Sequence, residues 1–596
     1  MDLQAQLKTA ITEAIATVYG ETVSDTTLQP TKKEFEGLYT FVTFPLTKSL
    51  RRAPAEIGQQ LGQWLVQNSD LVSRFNVVQG FLNLSVADRV WTDLFTSLRT
   101  DAPVAAKGQS VMVEFSSPNT NKPLHLGHLR NNFLGESVSR ILDANGFDVV
   151  RTCIVNDRGI HICKSMLAYQ KFGQQPDGSW ETPESSGLKG DHLIGKYYVL
   201  FDKAYKVEIE QLVGEGIEKE KAEKQAPLIL EAQAMLRRWE QGDAETVTLW
   251  KRMNTWVYAG FEKTYQKIGT RFDKTYYESQ TYLLGKEVVE EGLKTGVFYR
   301  KDDNSVWIDL TDESLDHKLV LRSDGTSVYI TQDLGTTDLK FNDFHNQRSL
   351  WVVGNEQDYH FQVLFKIMKR LGRSYADGCY HLSYGMVDLP TGKMKSREGT
   401  VVDADDLVNT VTEAARTAAD EATKGKMDEF SPDEQETLFQ MIGLGALKYF
   451  LLKVDAQKRM LFNPEESVDV HGHTGPFIQY TYARTRSVMR KAADAGLSVP
   501  AELPVVSFHP TEQQLLFLLT QYPQRVAEAG ADYAPSYVAQ YAYELAKAFN
   551  QFYAEVTILS EPNRNLLLVR LALSELVGQT IKKSMRLLGI DVPEKM

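Results

Sequence analysis

The run Val113–Arg130, VEFSSPNTNKPLHLGHLR, gives the strongest structural signal in the chain. Its apolar start predicts a buried strand, its Ser, Pro and Asn residues predict a turn, and its end predicts the N-terminus of a helix. His125 and His128 lie at the start of that helix, with Gly127 between them. A helix N-terminus binds phosphate through free N–H groups and the positive end of its dipole. The imidazoles add donors for charge that builds on a phosphate in a transition state, and Gly127 lets a nucleotide approach the backbone closely.

This run resembles the signature of class I aminoacyl-tRNA synthetases, and its flanks narrow the match. Residues 114–130 are similar to the arginyl-tRNA synthetase version of that signature. A bare H-x-G-H also occurs in smaller nucleotidyltransferases such as pantetheine-phosphate adenylyltransferase, and two histidines could simply cap a helix. The longer string favours the synthetase interpretation.

The composition of the chain is that of an ordinary globular protein. Its 596 residues are enough for about three or four domains. Hydrophobic residues make up 42% and charged residues 24%, which is typical of soluble proteins. No apolar run approaches the roughly 18 residues that span a bilayer, and the acidic, amphipathic N-terminus does not resemble a signal peptide. We therefore expect a cytoplasmic protein without a membrane segment.

Cysteine content and charge limit the other classes of site. The three cysteines, Cys153, Cys163 and Cys379, argue against a disulfide framework. No C-x-x-C pair occurs, so no protein-bound metal is predicted; His161 and Cys163 could share a metal, but alternating side chains near a strand end are the simpler interpretation. The net charge of −12 does not exclude tRNA, because phosphate binding needs only a local basic face.

Strands alternate with helices in the middle of the chain, which predicts a parallel sheet with ligands at the carboxyl ends of its strands. We expect a Rossmann-like α/β catalytic domain at 105–404, an N-terminal α/β domain at 1–104, and a helical connecting region and bundle at 405–596. The central strands are predicted at 111–115, 147–155, 350–354 and 382–387. The alternation stops at about 174–265, which we interpret as a solvent-facing helical insertion.

Both ends of the chain resemble parts of arginyl-tRNA synthetases. The string Gly80–Leu84 is similar to the family's N-terminal extension, which contacts the outer corner of tRNA. Nearby basic residues could contact RNA or simply face solvent: Lys32, Lys33, Lys48, Arg51 and Arg52. Phe477–Arg484 and Lys582–Ile590 resemble the anticodon-binding helical domain. Whether Tyr480 and Tyr482 stack on bases or lie in the core stays open.

A second phosphate-binding element is the run Gly392–Gly399, GKMKSREG, which we call the ATP loop. It resembles the KMSKS signature of class I synthetases. Basic groups in such a loop stabilise charge on the phosphates and on the leaving pyrophosphate. The resemblance implies ATP contacts from four of its residues: Lys393, Met394, Lys395 and Ser396.

The ATP loop departs from the signature, because Ser396 stands where the motif has its second lysine. Arginyl-tRNA synthetases commonly lack that lysine and place another just before the histidine motif, where this chain has Lys122. Lys395 is either a second substitute or a bystander. The resemblance therefore implies ATP contacts from Gly127 and a catalytic set of Lys122, His125, His128 and Lys393.

Three further strings resemble the arginine pocket of the family. A guanidinium is planar and always charged, so its pocket needs fixed carboxylates and neutral acceptors. The resemblance implies that Asp333 and Tyr329 hold the guanidinium, with Glu278 close by. Tyr329 and Asp333 are four residues apart and share one face if their segment is helical.

The main-chain groups of the amino acid need partners as well. The resemblance implies that Asn119 and Gln357 orient the α-amino and carboxylate groups, and that Glu114 supports this end of the pocket. The turn Asn156–Gly159 keeps the aspartate and the final glycine of a Gly-Asp-Trp-Gly-like turn but lacks its aromatic residue. We assign no detailed role to this turn.

The resemblance implies ATP-dependent ligation of arginine to the terminal adenosine of tRNA(Arg) through an arginyl-adenylate. Mg²⁺ is expected to bind through ATP oxygens, adenylate formation to need tRNA, and the protein to be a monomer, as is usual in the family. A cysteine-specific relative is disfavoured, because the zinc-thiolate pocket of those enzymes has no counterpart here. A non-catalytic RNA-binding paralogue is the remaining alternative, and the phosphate-handling residues argue against it.

Overall fold

The computed structural model describes residues 3–23, 26–32, 34–100, 104–388, 402–423 and 430–596. The whole ATP loop, including Lys393, Met394, Lys395 and Ser396, lies outside these residues, as does Lys33.

The N-terminal region packs helices on one antiparallel sheet. Its elements are α1 Leu3–Tyr19, β1 Leu28–Pro30, β2 Tyr39–Val42, α2 Thr47–Leu50, α3 Pro54–Asn68, β3 Val72–Val78, β4 Phe81–Val86 and α4 Asp88–Leu98. The strand order is β1-β2-β4-β3. The sequence indicated β2 and β4. β1 is only three residues long and ends in proline, and β3 has polar residues at three of its seven positions, so neither has a strong apolar signal.

The central region contains most of the strands. Its elements are β5 Ser110–Glu114, α5 Leu126–Ala144, β6 Asp148–Val155, α6 Ile160–Phe172, α7 Pro183–Ser186, α8 Gly190–Gly214, α9 Lys219–Gln225, α10 Pro227–Glu240, α11 Ala244–Ile268, β7 Lys274–Tyr277, α12 Glu278–Thr281, α13 Gly285–Lys294, β8 Tyr299–Arg300, β9 Val306–Ile308, β10 Lys318–Leu321, α14 Tyr329–Phe344, β11 Arg348–Gly354, α15 Asp358–Arg370, β12 Cys379–Tyr384 and β13 Val387–Asp388.

Five parallel strands form the central sheet in the order β12-β11-β5-β6-β7. The chain runs outward from β5 to β7 on one side and then from β11 to β12 on the other. The strand order therefore reverses between β5 and β11, where ligands bind in open α/β sheets. The predicted Rossmann-like parallel sheet is confirmed. The sequence missed β7, which is four residues long and follows the insertion.

The last predicted strand of the sheet was placed wrongly. β12 ends at Tyr384, three residues before the predicted end, because Gly385 leaves the sheet and packs against the segment 457–459. The two residues of β13 instead pair in parallel with a strand from the C-terminal part of the chain, β14 Met460–Leu461.

The first strand and the first helix of the central region pack closely. A Cβ at Gly135, in the middle of α5, would lie 2.2 Å from the ring of Phe115, so only glycine fits there. α5 also contacts helices of the C-terminal region, and it is buried along most of its length. It thus lies between the sheet and the C-terminal helices.

The insertion is not the solvent-facing arm that its composition suggests. The first half of α8 buries Leu193, Ile194, Tyr197 and Phe201 in the main core, where α8 packs on α6 and α11. The second half of α8, most of α9 and the segments 174–180 and 240–245 are largely exposed. Charged residues are frequent at 203–224. The prediction wrongly applied the solvent exposure of this stretch to the whole insertion.

The C-terminal region is helical apart from β14. Its helices are α16 Ala404–Thr423, α17 Pro432–Leu452, α18 Pro464–Ser467, α19 Gly475–Asp494, α20 Pro510–Ala531, α21 Pro535–Glu555 and α22 Arg564–Leu587. It also contacts the N-terminal region: the Arg99 guanidinium donates to the carbonyl of Pro500 at 2.8 Å, and Tyr39 packs edge-on against Phe517. Among the helices within the described residues, none is both long and apolar enough to cross a bilayer.

Candidate functional site

The two motif histidines cap the N-terminus of α5. His125 is the residue before the first turn, and the backbone N–H of Gly127 donates to its Nδ1 at 3.2 Å. The backbone N–H of His125 in turn donates to Nδ1 of His128 at 3.1 Å. The two rings lie 4.0 Å apart between centroids. The histidines can therefore cap the helix through Nδ1 and still bind phosphate through Nε2.

This capping fixes which nitrogen of each ring holds the proton. Because both Nδ1 atoms accept hydrogen bonds, both neutral rings have their proton on Nε2. Burial lowers the pKa of His125 to about 3, with the charge of Lys122 acting in the same direction. Burial also lowers the pKa of His128 well below its ordinary value, and the neighbouring His125 adds to this. Near neutral pH the helix start thus presents two uncharged Nε2–H donors.

The turn that leads from β5 to the motif has a strained backbone. Ser116 and Ser117 both have positive φ, 79° and 45°, a region that favours glycine. The side chain of Asn131 accepts from the N–H of Ser116 at 2.5 Å and donates to the carbonyl of Val352 at 2.6 Å. Asn131 therefore links the end of β5 to β11 at the switch point and fixes the conformation of the turn at Ser116.

The residues on either side of the ATP loop are held near the start of α5. Before the loop, the buried Arg130 guanidinium donates to the carbonyl of Gly385 at 2.8 Å, and β13 pairs with β14. After the loop, the N–H of Leu126 donates to the carbonyl of Val402 at 3.2 Å, and the N–H of Ala404 donates to that of Leu124 at 3.0 Å. Both flanks of the loop thus meet the helix that bears the histidines.

A buried aspartate organises the side of the sheet formed by β6 and β7. Asp157 follows β6 and accepts from the N–H and hydroxyl of Ser279 at 2.8 and 2.7 Å, and from the hydroxyl of Tyr258 at 2.8 Å. These bonds fix the start of α12, where Glu278 is the first residue. Burial raises the pKa of Glu278 to about 7; the charges of Asp157 and Asp333 add to the rise, whereas Arg158 opposes it. The charge of Asp333 therefore reaches Glu278, and their predicted role as joint partners of one guanidinium stays a prediction.

Helix α14 bears the other two predicted guanidinium partners. Tyr329 and Asp333 lie one turn apart on it, as the spacing predicted. Asp333 Oδ2 lies 2.6 Å from Nε2 of His360 on α15. Tyr329 is 75% exposed, so its ring closes no cavity in this state.

The three residues predicted at the amino and carboxylate end differ in surroundings. Glu114 is buried in an ion pair with Lys340 of α14, which places it behind the site surface. Asn119 pairs through its backbone with Asn156, so the histidine turn and the β6 turn are adjacent. Gln357 follows β11 and is exposed; in the part of the chain that the structure describes, no side-chain hydrogen bond ties it to another predicted pocket residue.

Sequence reasoning missed three residues of this site. Asp157 belongs to a turn that lacks the family's aromatic residue, although the aspartate itself matches the family pattern. His360 lies three residues after Gln357, just beyond the string Val352–Asp358 that resembles the family. Lys340 had no local signal, because its partner Glu114 is 226 positions away in the chain.

One group of side chains in the described residues has the spacing of a metal site, namely His192, Asp403 and Asp405. Lys189 contacts Asp405 within the same group, so a side-chain ammonium already lies against that carboxylate.

The chain matches known families along most of its length. Residues 92–463 match "tRNA synthetases class I (R), catalytic domain", residues 478–596 match "DALR anticodon binding domain", and residues 5–86 match "Arginyl tRNA synthetase N terminal domain". The chain is 53% identical to "Arginine--tRNA ligase" of Amoebophilus asiaticus and 53% identical to the protein of that name from Phocaeicola vulgatus, with 100% of both chains covered in each case. Its fold is similar to that of the arginyl-tRNA synthetase of Thermus thermophilus, with a TM-score of 0.75, 25% identity and 100% of both chains covered.

Proposed function

The chain belongs to the class I arginyl-tRNA synthetases, and we propose that it joins L-arginine to the 3′-terminal adenosine of tRNA(Arg), using ATP. The observation that supports this most strongly is the self-capped helix start at the switch point of the sheet. It places two neutral Nε2–H donors beside the residues that flank the ATP loop. This is an arrangement for a polyphosphate, in a chain related to arginine–tRNA ligases over its full length.

In the first step a carboxylate oxygen of arginine attacks the α-phosphorus of ATP. The new P–O bond gives arginyl-adenylate, and the bond to the β-phosphate oxygen breaks to release pyrophosphate. No side chain needs to remove a proton, because the carboxylate is already ionised. His125 and His128 donate to phosphate oxygens as charge builds on them, and Lys122 and Lys393 orient the chain and the leaving group.

Mg²⁺ would be supplied with ATP and would offset the negative charge of the phosphates, and we assign no protein side chain to it. The carboxylate next to His125 belongs to Asp403, and it is engaged by His192 at 3.1 Å. Because this carboxylate already has a partner, we assign it no role in holding the cation.

The arginine side chain lies between α12 and α14 in this proposal. Asp333 and Glu278 supply the carboxylates for the guanidinium, and Tyr329 covers it. Asn119 and Gln357 orient the α-amino and carboxylate groups. Glu114 acts through Lys340, which holds the middle of α14 against the sheet. Lysine and ornithine lack the planar fork of donors and would leave these acceptors unpaired, so the site should reject them.

In the second step the 2′-hydroxyl of the terminal adenosine attacks the arginyl carbonyl. The ester bond forms, and AMP leaves. Residues 478–596, which match an anticodon-binding domain, bind the far end of the tRNA, and the N-terminal domain contacts its outer corner. A monomeric state and a cytoplasmic location stay predictions, which light scattering and cell fractionation would test.

The test of this proposal is arginine-dependent exchange between ATP and pyrophosphate, with and without tRNA(Arg). We expect exchange with arginine and not with lysine or cysteine, and we expect it to require tRNA. Arginine-dependent exchange without tRNA would contradict the expected tRNA requirement but not the proposed activity. No exchange under any condition, with tRNA still bound, would favour the non-catalytic RNA-binding paralogue.

A further inference from the structure

A charge cluster joins the insertion to the segment that follows the ATP loop. His192, in the first turn of α8, has Nε2 at 3.1 Å from Asp403 Oδ2 and at 3.4 Å from Asp405 Oδ2. Lys189, just before α8, contacts Asp405, donates to the hydroxyl of Thr264 at 2.6 Å and lies 3.2 Å from Asp191. Two cations from the insertion thus hold two carboxylates from the start of α16.

The carboxylates of this cluster lie directly beside the phosphate site. Asp403 and His125 are paired residues of an antiparallel bridge, closed by the two backbone bonds between 124–126 and 402–404. Asp403 also accepts from the N–H of Asp405 at 2.8 Å, which starts α16. A shift of Asp403 would therefore move the backbone of His125, whose ring is set by the cap of α5.

The insertion offers a rigid base for the cluster. Asp191 is fully buried, and a Cβ at Gly260 of α11 would lie 2.2 Å from its carboxylate, so α8 and α11 are in close contact here. The nearby carboxylates of Asp403 and Asp405 raise the pKa of His192 to about 10, against the effect of burial. The ring is therefore an imidazolium that faces Asp191, Asp403 and Asp405, with Lys189 as the other cation.

We propose that His192 is a positioning residue for the adenylation reaction: its imidazolium ties the helical insertion to Asp403 and Asp405 and so sets the place of the segment 402–404 and of His125, which is paired with it. This inference rests on the proposed function. Without the imidazolium, two neighbouring carboxylates would face each other with one cation fewer, and like charges at this distance repel. The segment 402–404 would move away, and the Nε2–H donor of His125 would move with it.

The test compares steady-state exchange kinetics of the wild type and His192→Ala at saturating tRNA(Arg). We expect His192→Ala to raise KM for ATP and lower kcat, with a combined loss of about tenfold to a hundredfold, because small misplacements of reacting groups have effects of this size. KM for arginine should stay within about twofold of the wild-type value, since the pocket carboxylates lie on other elements. His192→Arg should recover most of the loss, because a guanidinium can bridge both carboxylates.

Lys196→Ala is the matched control. Lys196 lies one turn further along α8 and pairs with Glu181 at 2.8 Å, so the variant also removes a cation from this helix, but away from Asp403. It should keep the wild-type KM for ATP. His192→Gln keeps an N–H donor but removes the positive charge. It would be used in place of His192→Ala if the alanine variant does not fold.

The outcomes separate this inference from the proposed function. No arginine-dependent exchange by the wild type would reject the function itself. An active wild type with an unchanged KM for ATP in His192→Ala would overturn the inference alone, as would equal rises in KM for ATP and for arginine. A rise in Tm with Zn²⁺ in the wild type but not in His192→Ala would assign the cluster to a metal and also overturn it.

Discussion

The motif histidines present uncharged donors, because the backbone occupies one nitrogen of each ring and burial lowers the pKa of both. Their Nδ1 atoms accept from the N–H groups of Gly127 and His125, so only Nε2–H remains for a ligand. An imidazolium would bind the ground-state polyphosphate more tightly, whereas a neutral donor strengthens mainly as charge builds in the transition state. The lowered pKa of His125, about 3, keeps this state across the pH range in which proteins function.

The pH dependence of arginine binding should come from Glu278. Its pKa, raised to about 7, means that the free site holds a proton below that pH, and a guanidinium must displace the proton to form an ion pair. We expect KM for arginine to rise as pH falls below 7, by up to about tenfold per pH unit. Exchange kinetics from about pH 6 to 8 would measure this.

Glu278→Gln is the matched variant for that measurement. It should raise KM for arginine at high pH and remove most of the pH dependence. A Glu278→Gln enzyme with the wild-type pH profile would assign the titration to another group.

Substitutions at Asp333 should weaken arginine binding but leave ATP binding nearly unchanged. Asp333→Ala and Asp333→Asn both remove the carboxylate next to His360, and we expect arginine affinity to fall by at least about thirtyfold, the range for a lost charged partner. ATP binding, measured by equilibrium dialysis, should change little. Loss of both ligands together would mean that Asp333 has a structural role. Asp312→Ala, at an exposed carboxylate paired with Arg370, is the control.

At the residue scale the sequence was most informative where partners are close in the chain. The caps at 125–128 and the pair Tyr329 and Asp333 follow from spacings of three and four residues. The contact between Asp333 and His360 joins two helices, and that between Glu114 and Lys340 joins a strand to a helix. Such contacts depend on how elements pack, which local patterns do not contain.

Helix α5 shows what an element-scale prediction lacks. Its residues LGHLRNNFLGESVSRILDA include many polar side chains, which would suggest one solvated face. Yet Arg130, Asn131, Asn132 and Ser137 are all buried, because the helix lies between the sheet and the C-terminal helices. Their hydrogen-bond acceptors are mostly backbone carbonyls of distant segments, so the sequence offered no sign of the burial.

Arg130 should be the most sensitive residue of α5. Its buried guanidinium donates to the carbonyls of Gly385, Ala456 and Lys458 at 2.8, 2.9 and 2.9 Å. Arg130→Met would leave these acceptors unsatisfied, and we expect a loss of stability of about 3 kcal/mol or more. KM for ATP should also rise, because Gly385 leads into β13 and the ATP loop.

Thermal unfolding and exchange kinetics would test this. Arg89→Met is the control, since Arg89 is exposed and pairs with Asp93 one turn away; its effect should stay within about 0.5 kcal/mol. An Arg130→Met protein that melts like the wild type would refute the role of these hydrogen bonds.

The central sheet was predictable because its strands are buried on both faces and appear as apolar runs. β5, β6 and β11 fit that pattern, whereas the four residues of β7 and the polar strand β12, CYHLSY, do not. β7 and β12 are extended because they pair with β6 and β11, and this pairing is a tertiary contact that a local sequence pattern does not show.

At the scale of the whole molecule, a buried lysine connects three parts of the fold. Lys448 of α17 donates to the carbonyl of Gly589, after α22, at 2.5 Å, and its charge interacts with Arg140 and Glu136 of α5. Burial lowers its pKa to about 8. Between pH 8 and 10.5 the unfolded chain therefore binds more protons than the native state, and the free energy of unfolding rises with pH through this window.

We expect Lys448→Met to remove this contribution, which is at most about 3 kcal/mol between the two ends of the window. Relative to the variant, the wild type should thus gain thermal stability from pH 8 to pH 10.5. Lys547→Met, at an exposed lysine of α21, should show no such difference. Parallel pH profiles of wild type and Lys448→Met would contradict the prediction.

The contact between the first and last regions has a consequence for biosynthesis. The partner of Arg99 is Pro500, which is 401 positions further along the chain. At about 5–20 residues per second, the ribosome takes about 20–80 seconds to make that stretch. During this time Tyr39, which packs against Phe517 in the folded protein, is exposed and can contact chaperones or other nascent chains. Any structure that the N-terminal domain forms in this time, it forms without its C-terminal neighbour.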